Sequence, residues 1–188
     1  MSAPPDLPEI VSRAFDVSRK RGYVSFCRNE TGRLLAALAA TRSGTLAEFG
    51  TGCGVGTAWL RSGVRAEATI LTAELDPRLA EAAAEIFEAD DQVEVLAADW
   101  STMRDRGPFS LLFLDAREPK NAGADTIIDL VEPGGVVVLD DFTPCPSWPP
   151  VYEGRVDVLR EQWLTDERFT SVEVMVATDA SVLIATKR

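Results

Sequence analysis

Apolar positions along the chain change their period near residue 45. Before it, Ile10, Val11, Ala14 and Val17 in EIVSRAFDVSRKR recur at helical spacing, as do Leu34, Leu35 and Leu38 in RNETGRLLAALAA. The spacing predicts two helices, the second with Asn29 as its N-cap. Pro4, Pro5 and Pro8 make the preceding residues an extended lead-in. Beyond residue 45, short apolar runs alternate with helical patterns. TLAEF, ATILTAEL, VEVLAA, FSLLFLD and VVVLDD read as strands, and the continuous run in FSLLFLD implies burial on both faces.

Between these strands, GTAWLRSGV, RLAEAAAEIFEA and ADTIIDLV read as helices, the second capped by Asp76 with Pro77 at its first position. DWSTMRDRG is a short polar segment, and EPGG is a turn that delivers the fifth strand. After the proline-rich loop TPCPSWPP comes a helix near DVLREQWL, then SVEVMVA and SVLIATK, joined by TDA at hairpin length. Strand–helix alternation with a closing hairpin predicts one doubly wound, Rossmann-like α/β domain over residues 1–188, with residues 1–28 as an N-terminal extension and helix. Its expected sheet has seven strands, mostly parallel with an antiparallel edge. That edge and the first helix are the surfaces on which a homodimer is expected.

Composition narrows the chemistry. Histidine is absent, which excludes Ser-His-Asp and Cys-His catalysis and every imidazole-dependent metal site. Cys27, Cys53 and Cys145 are too few and too scattered for a disulfide framework or a zinc ribbon, and Cys53 reads as a small buried spacer. Any metal is therefore a hard cation on oxygen ligands, Mg²⁺ or Ca²⁺. The net charge of -11 repels phosphate backbones, so a nucleic acid is not the expected partner. The start MSAPPDLPEI lacks a secretory pattern, and no apolar run approaches the roughly 18 residues of a membrane span. A cytoplasmic protein with a small-molecule substrate and no membrane partner is expected.

LAEFGTGCGVGTAWL concentrates glycines at Gly50, Gly52, Gly54 and Gly56 between the first strand of the alternating region and the next helix. A dinucleotide fingerprint requires G-x-G-x-x-G/A, and Val55 or Thr57 stands where the last small residue belongs. A longer bare loop suits a ligand that lies along it without a pyrophosphate. Glu74, at the end of the next strand, is either a ribose-binding acid or a solvated strand end.

EFGTGCGVGTAWL followed by LTAELDPRLAEAAAEIF resembles motif I and its successor in class I S-adenosylmethionine-dependent methyltransferases, closest to the catechol O-methyltransferase-like family. The likeness runs from about Asn29 to the C-terminus. It implies that Gly50, Thr51 and Gly52 pass under the methionine part of S-adenosylmethionine and that Glu74 holds the ribose hydroxyls. Glu48 would lie beneath the loop, near the methionine ammonium or the loop amides. Asp99 and Trp100 match the place of adenine contacts; read alone, they are equally an N-cap and a core tryptophan.

Asp115 ends the fourth strand, and Asp140 and Asp141 end the fifth, where ligands bind in open α/β sheets. The resemblance implies that Asp115, Asp140 and Asp141 hold Mg²⁺, with Asp141 replacing the family's usual Asn; Asp115 would also touch the cofactor, and Asp115 and Asp140 would be catalytic. The bland alternative is that these aspartates cap loops or bind the cofactor's amino group. Glu118 stands where the family often carries a lysine base, and neither Arg117 nor Lys120 matches that position. Deprotonation then falls to the metal alone, to Asp140, or to an already acidic substrate. Phe142, Trp148 and Tyr152 either wall an acceptor pocket or pack on the sheet edge, while Arg13, Lys20 and Arg21 read as surface charge. The expectation is O-methylation of a small hydroxylated aromatic acceptor, assisted by Mg²⁺. The alternatives are a cofactor-binding protein without catalysis and a metal-independent methyltransferase acting on nitrogen, carbon or a carboxylate.

Overall fold

The computed structural model describes residues 6–188; Pro4 and Pro5 of the expected lead-in lie outside them. In chain order the elements are α1 (Glu9–Arg21), α2 (Asn29–Ala39), β1 (Thr45–Phe49), α3 (Val55–Gly63), β2 (Thr69–Glu74), α4 (Pro77–Phe87), β3 (Val93–Ala97) and β4 (Phe109–Leu114). They continue with α5 (Arg117–Asn121), α6 (Gly123–Ile127), β5 (Val131–Phe142), β6 (Val151–Tyr152), β7 (Arg155–Val156), α7 (Val158–Thr165), β8 (Phe169–Ala177) and β9 (Ala180–Lys187). Seven strands form one sheet in the order β3-β2-β1-β4-β5-β9-β8. Pairing is parallel from β3 to β5, and β9 runs antiparallel to both β5 and β8. This is the doubly wound sheet with a closing hairpin that the alternation predicts.

Strand β4 shows why the fold closes. All six of its residues are buried; Leu111 and Phe113 enter one core, while Leu112 and Leu114 enter the other. The first core is roofed by apolar residues of α1 to α4, the second by Met103, Ala124, Ile127 and Trp163. Side chains alternate across a strand, so an unbroken apolar run requires cover on both faces. The strand order reverses between β1 and β4, which leaves a crevice at their carboxyl ends.

Local details depart from the sequence reading at four places. Asn29 is the first helical residue of α2, not its cap; Arg28 takes the extended cap position and pairs with Asp179 at 2.7 and 2.9 Å. EPGG is absorbed into β5, where Gly134 takes a left-handed φ of 78° and the register with β4 shifts between Phe109 and Leu111. The bend is thus a strand irregularity, which one residue of unusual φ suffices to make. DWSTMRDRG contains a 3-10 helix, Trp100–Arg106, capped by Asp99. The proline-rich loop leads into a two-stranded ribbon, β6 with β7, which lies outside the main sheet.

The glycine loop rests on a buried acid. Glu48, at the end of β1, is 0% exposed and accepts hydrogen bonds at Oε2 from the hydroxyls of Thr57 on α3 and, at 3.0 Å, Thr72 on β2. Thr72 is in turn 2.5 Å from the Thr51 hydroxyl of the loop itself. Gly56 leaves the space that Glu48 Oε1 occupies, since a Cβ there would collide with it. Burial pushes the Glu48 carboxyl up to about 8, against the lowering effect of its two hydroxyl donors. One carboxyl group, neutral at pH 7, thereby ties β1, β2 and α3 together under the loop.

Two outcomes follow from this packing. A Cβ on Gly32 of α2 would fall within the indole of Trp59, which is 1% exposed. Gly32→Ala should cost about 1–3 kcal/mol in urea unfolding by overpacking that contact. For Glu48, the native carboxyl holds its proton up to about 8, whereas the unfolded one releases it near its ordinary 4.5. Between these values the unfolded state binds fewer protons, so stability falls as pH rises. Glu48→Gln abolishes that contribution. Wild-type stability minus that of Glu48→Gln should decline from pH 5 to pH 9 in matched chemical denaturation; a difference independent of pH would exclude the raised carboxyl.

Candidate active site

Three cavities lie side by side along the carboxyl ends of β2, β1, β4 and β5. The first, of about 230 Å³, is lined by Gly50, Glu74, Leu75, Asp99, Trp100 and Glu118 among others. The second is a narrow cleft of about 10 Å³ between the glycine loop and the segment after α1, bounded by Tyr23, Cys27, Gly50, Thr51, Gly52 and Asp115. The third, of about 450 Å³, is bordered by Asp115, Lys120, Asp140, Asp141, Tyr152 and Arg160 and by neighbouring residues. Gly50 is shared by the first two and Asp115 by the last two. The three therefore form one groove with two named junctions.

Glu74 fixes the first junction. Its Oε2 accepts the Gly52 amide at 2.8 Å and its Oε1 the Asp76 amide at 2.9 Å, so one carboxylate sets both the loop and the start of α4. Asp76 then caps α4 through the Arg78 amide, with Pro77 in the first turn, as the sequence predicts. Asp99 accepts the Ser101 amide at 2.9 Å, and hydrogen bonding from the Ser101 side chain, then from this amide, lowers its carboxyl below the usual range. Trp100 packs against Phe49 at 5.4 Å between ring centroids, with the Arg104 guanidinium 5.3 Å from its own ring. The cap and core roles of Asp99 and Trp100 are thus realised, and both residues also face the 230 Å³ cavity. Glu118 opens onto that same cavity, away from the aspartates.

Tyr23 escaped the sequence reading. Helix α1 ends in a Schellman turn, with the Gly22 amide bonded to Arg19 O and the Tyr23 amide to Ser18 O at 2.9 Å. That turn lays the phenol over Gly52, where a Cβ would stand 2.8 Å from the ring; Gly52 also holds a left-handed φ of 52°. Burial and the nearby Glu74 and Asp115 carboxylates push the Tyr23 hydroxyl up to about 12. The signal for this arrangement was the basic run RKR followed by Gly22. The basic residues themselves lie elsewhere: Arg13 donates to Ile86 O at 3.0 Å and Arg21 to Glu85 at 3.4 Å.

At the second junction Asp115, Asp140 and Asp141 each offer a carboxylate oxygen within 4.8 Å of the others. Burial, then the proximity of Asp140, pushes Asp115 well above the ordinary carboxylate range. Burial likewise raises Asp140, whose Oδ1 accepts from Thr31 on α2 at 3.2 Å. Asp141 is exposed and holds a left-handed φ of 67°, a region that Asp and Asn tolerate better than most residues. Lys120, 9% exposed on α5, donates to Asp141 Oδ2 at 2.9 Å and to the Asp140 carbonyl at 3.0 Å. Neither Thr31 nor this reach of Lys120 was foreseen, because both contacts cross more than 15 residues of chain.

The far wall of the 450 Å³ cavity is held by Arg160 on α7, which is 1% exposed. Its guanidinium donates to Thr143 O at 3.0 Å, pairs with Glu173 at 3.3 Å and stands 4.9 Å from the Phe142 ring centroid. Phe142 and Tyr152 line this cavity, whereas Trp148 does not line it and is 63% exposed. Among the described residues no helix is long and apolar enough to cross a membrane.

Comparison with known proteins places this groove. A family model described as a methyltransferase domain matches residues 47–142, from β1 to the end of β5. A catechol O-methyltransferase of Mycobacterium tuberculosis is 33% identical over 120 residues, 60% of this chain and 54% of that protein, so the chain matches about half of that relative's length. Among solved structures, an O-methyltransferase from Bacillus cereus in complex with SAH aligns with a TM-score of 0.76 at 19% identity, covering 97% of this chain and 93% of that one. The O-methyltransferase TomG from Streptomyces achromogenes, in complex with SAM, aligns with a TM-score of 0.77 at 21% identity, covering 97% and 92%. The chain belongs to the methyltransferase-domain family.

Proposed function

We propose that this chain transfers the methyl group of S-adenosylmethionine to a hydroxyl oxygen of a small hydroxylated aromatic acceptor, with Mg²⁺ assistance. The observation that carries the reading is the position of Asp115, which borders both the glycine-loop cleft and the 450 Å³ cavity. A donor lying along Gly50–Gly52 and an acceptor beside Asp140 would meet there. The family of the chain and the O-methyltransferases among its structural neighbours support the reaction class.

Glu74 accepts one amide at each oxygen and retains lone pairs for ribose hydroxyls, and Trp100 offers a flat face beside the same cavity. The cleft under Tyr23 is too narrow for a methionine chain, so loading displaces the phenol from Gly52. The donor set at Asp115, Asp140 and Asp141 fits a hard cation: all oxygen and close together, with Asp115 and Asp140 raised by burial and carboxylate repulsion that Lys120 offsets only in part. When bound, such a cation lowers the pKa of the acceptor hydroxyl and fixes its orientation. Asp115 and Asp140 then orient the acceptor at the junction, and Phe142 and Tyr152 wall its ring. The acceptor hydroxyl gives up its proton to solvent, its oxygen forms a bond to the methyl carbon as the carbon–sulfur bond breaks, and the bonding pair stays on sulfur in the released S-adenosylhomocysteine. A metal-independent transfer is the second reading, favoured by the Lys120 ammonium already seated against the aspartates.

Incubation with labelled S-adenosylmethionine and a panel of catechols and flavonoids should give transfer that EDTA abolishes and Mg²⁺ restores. Transfer indifferent to EDTA selects the metal-independent reading, and tight cofactor binding without transfer to any acceptor sinks both. Glu74→Gln removes a charged acceptor whose hydrogen bonds are each worth about 1.5–3 kcal/mol. Calorimetry should show S-adenosylhomocysteine binding weakened about tenfold or more.

A further inference from the structure

Lys120 is the one cationic side chain among the described residues that bonds to the aspartate cluster, and it does so from a nearly buried position. Its Nζ is anchored on the Asp140 carbonyl, which belongs to the backbone of β5 and does not move with any side chain. From that anchor it holds Asp141 Oδ2 at 2.9 Å. Asp141 is the exposed member: its side chain is 73% exposed, whereas Asp140 is buried. The cluster carries three carboxylates, one more than a divalent cation neutralises and two more than one ammonium does. Lys120 removes one ligand oxygen from the set and places a positive charge at the edge of the site.

We propose that Lys120 and a divalent cation are alternative occupants of the Asp115–Asp140–Asp141 cluster, Lys120 being displaced from Asp141 when the metal enters. The inference rests on the reading of these aspartates as the metal site, not on which acceptor is methylated. A hard cation prefers six or more oxygen ligands and tolerates an added positive charge poorly at contact range. The lysine therefore competes twice, for the Asp141 oxygen and through repulsion. Competition of this kind makes metal binding weak in the resting protein and couples it to the position of α5, which carries Lys120.

Mn²⁺ serves as the probe, with free ion counted by electron paramagnetic resonance in the full chain and no cofactor or acceptor present. Lys120→Met should bind Mn²⁺ at least about tenfold more tightly than wild type, and Lys120→Arg should remain near wild type because it keeps the charge. In an Asp141→Asn background, where the contested oxygen's charge is gone, the gain from Lys120→Met should shrink markedly. Thermal melts of each variant establish that it is folded. Unchanged or weaker Mn²⁺ binding in a folded Lys120→Met overturns the proposal, as does an absence of Mn²⁺ binding in every variant. Methyl transfer by the wild type is scored separately, so a lysine effect without transfer upholds the competition while removing the enzymatic reading.

Discussion

A buried carboxyl group under a bare loop is the constraint on which the remaining geometry depends. Glu48 is fully buried, and it accepts hydrogen bonds from hydroxyls of the neighbouring strand and of the helix that follows the loop. Such a group is costly in charged form and acceptable as a neutral one, which is why its proton is retained to about 8. Its reward is positional. Because Thr57, Thr72 and, through Thr72, Thr51 converge on it, the turn from β1 into α3 has one shape. Glu74 performs the complementary task from outside, accepting the Gly52 amide. Two acids thus clamp the loop, one from below and one from the rim.

The second junction follows a different logic. Asp115, Asp140 and Asp141 lie on strand ends that parallel packing forces into one crevice, so their mutual repulsion is imposed by the fold. Repulsion among carboxylates is relieved by protons, by metal, or by a basic side chain. Here the basic side chain is supplied in the structure, by Lys120, and the remaining imbalance leaves room for a cation of higher charge. Stability and chemistry are consequently in tension at this point, while at Glu48 they are not.

Most of the fold was legible because its strands are of two plain kinds: unbroken apolar runs and short caps of acid or glycine. FSLLFLD read as buried on both faces, and Phe109 to Leu114 all are. Asp76 with Pro77 read as a helix start, and the Arg78 amide donates to Asp76. What stayed hidden was long-range or marginal. Tyr23 meets Gly52, and Thr31 meets Asp140, across stretches of chain that no periodicity spans. Lys120 was visible as a residue but not as a partner of Asp141, because five-residue α5 is too short to declare its facing in sequence. The β6–β7 ribbon of two-residue strands lies below any pattern's resolution, and at Gly134 a single left-handed residue converted an expected turn into a bent strand.

Cofactor and acceptor ends of the groove differ in what holds them. The loop end is built from strand termini, backbone amides and buried hydroxyls, all of which move only with the sheet. The aspartate end is bordered by Tyr152 on a ribbon whose Val151, Tyr152 and Val156 are exposed and which, among the described residues, pairs with no other strand. Its link to the scaffold is the helix it leads into: Asp157 caps α7 and pairs with Arg160, and Arg160 is locked to Thr143 and Glu173. Substituting residues of the ribbon therefore changes the wall of the cavity without disturbing Glu48, Glu74 or the aspartates. Under the proposed function, selection of the acceptor would reside in that wall, and the sheet behind it would serve any acceptor that presents a hydroxyl at Asp115 and Asp140.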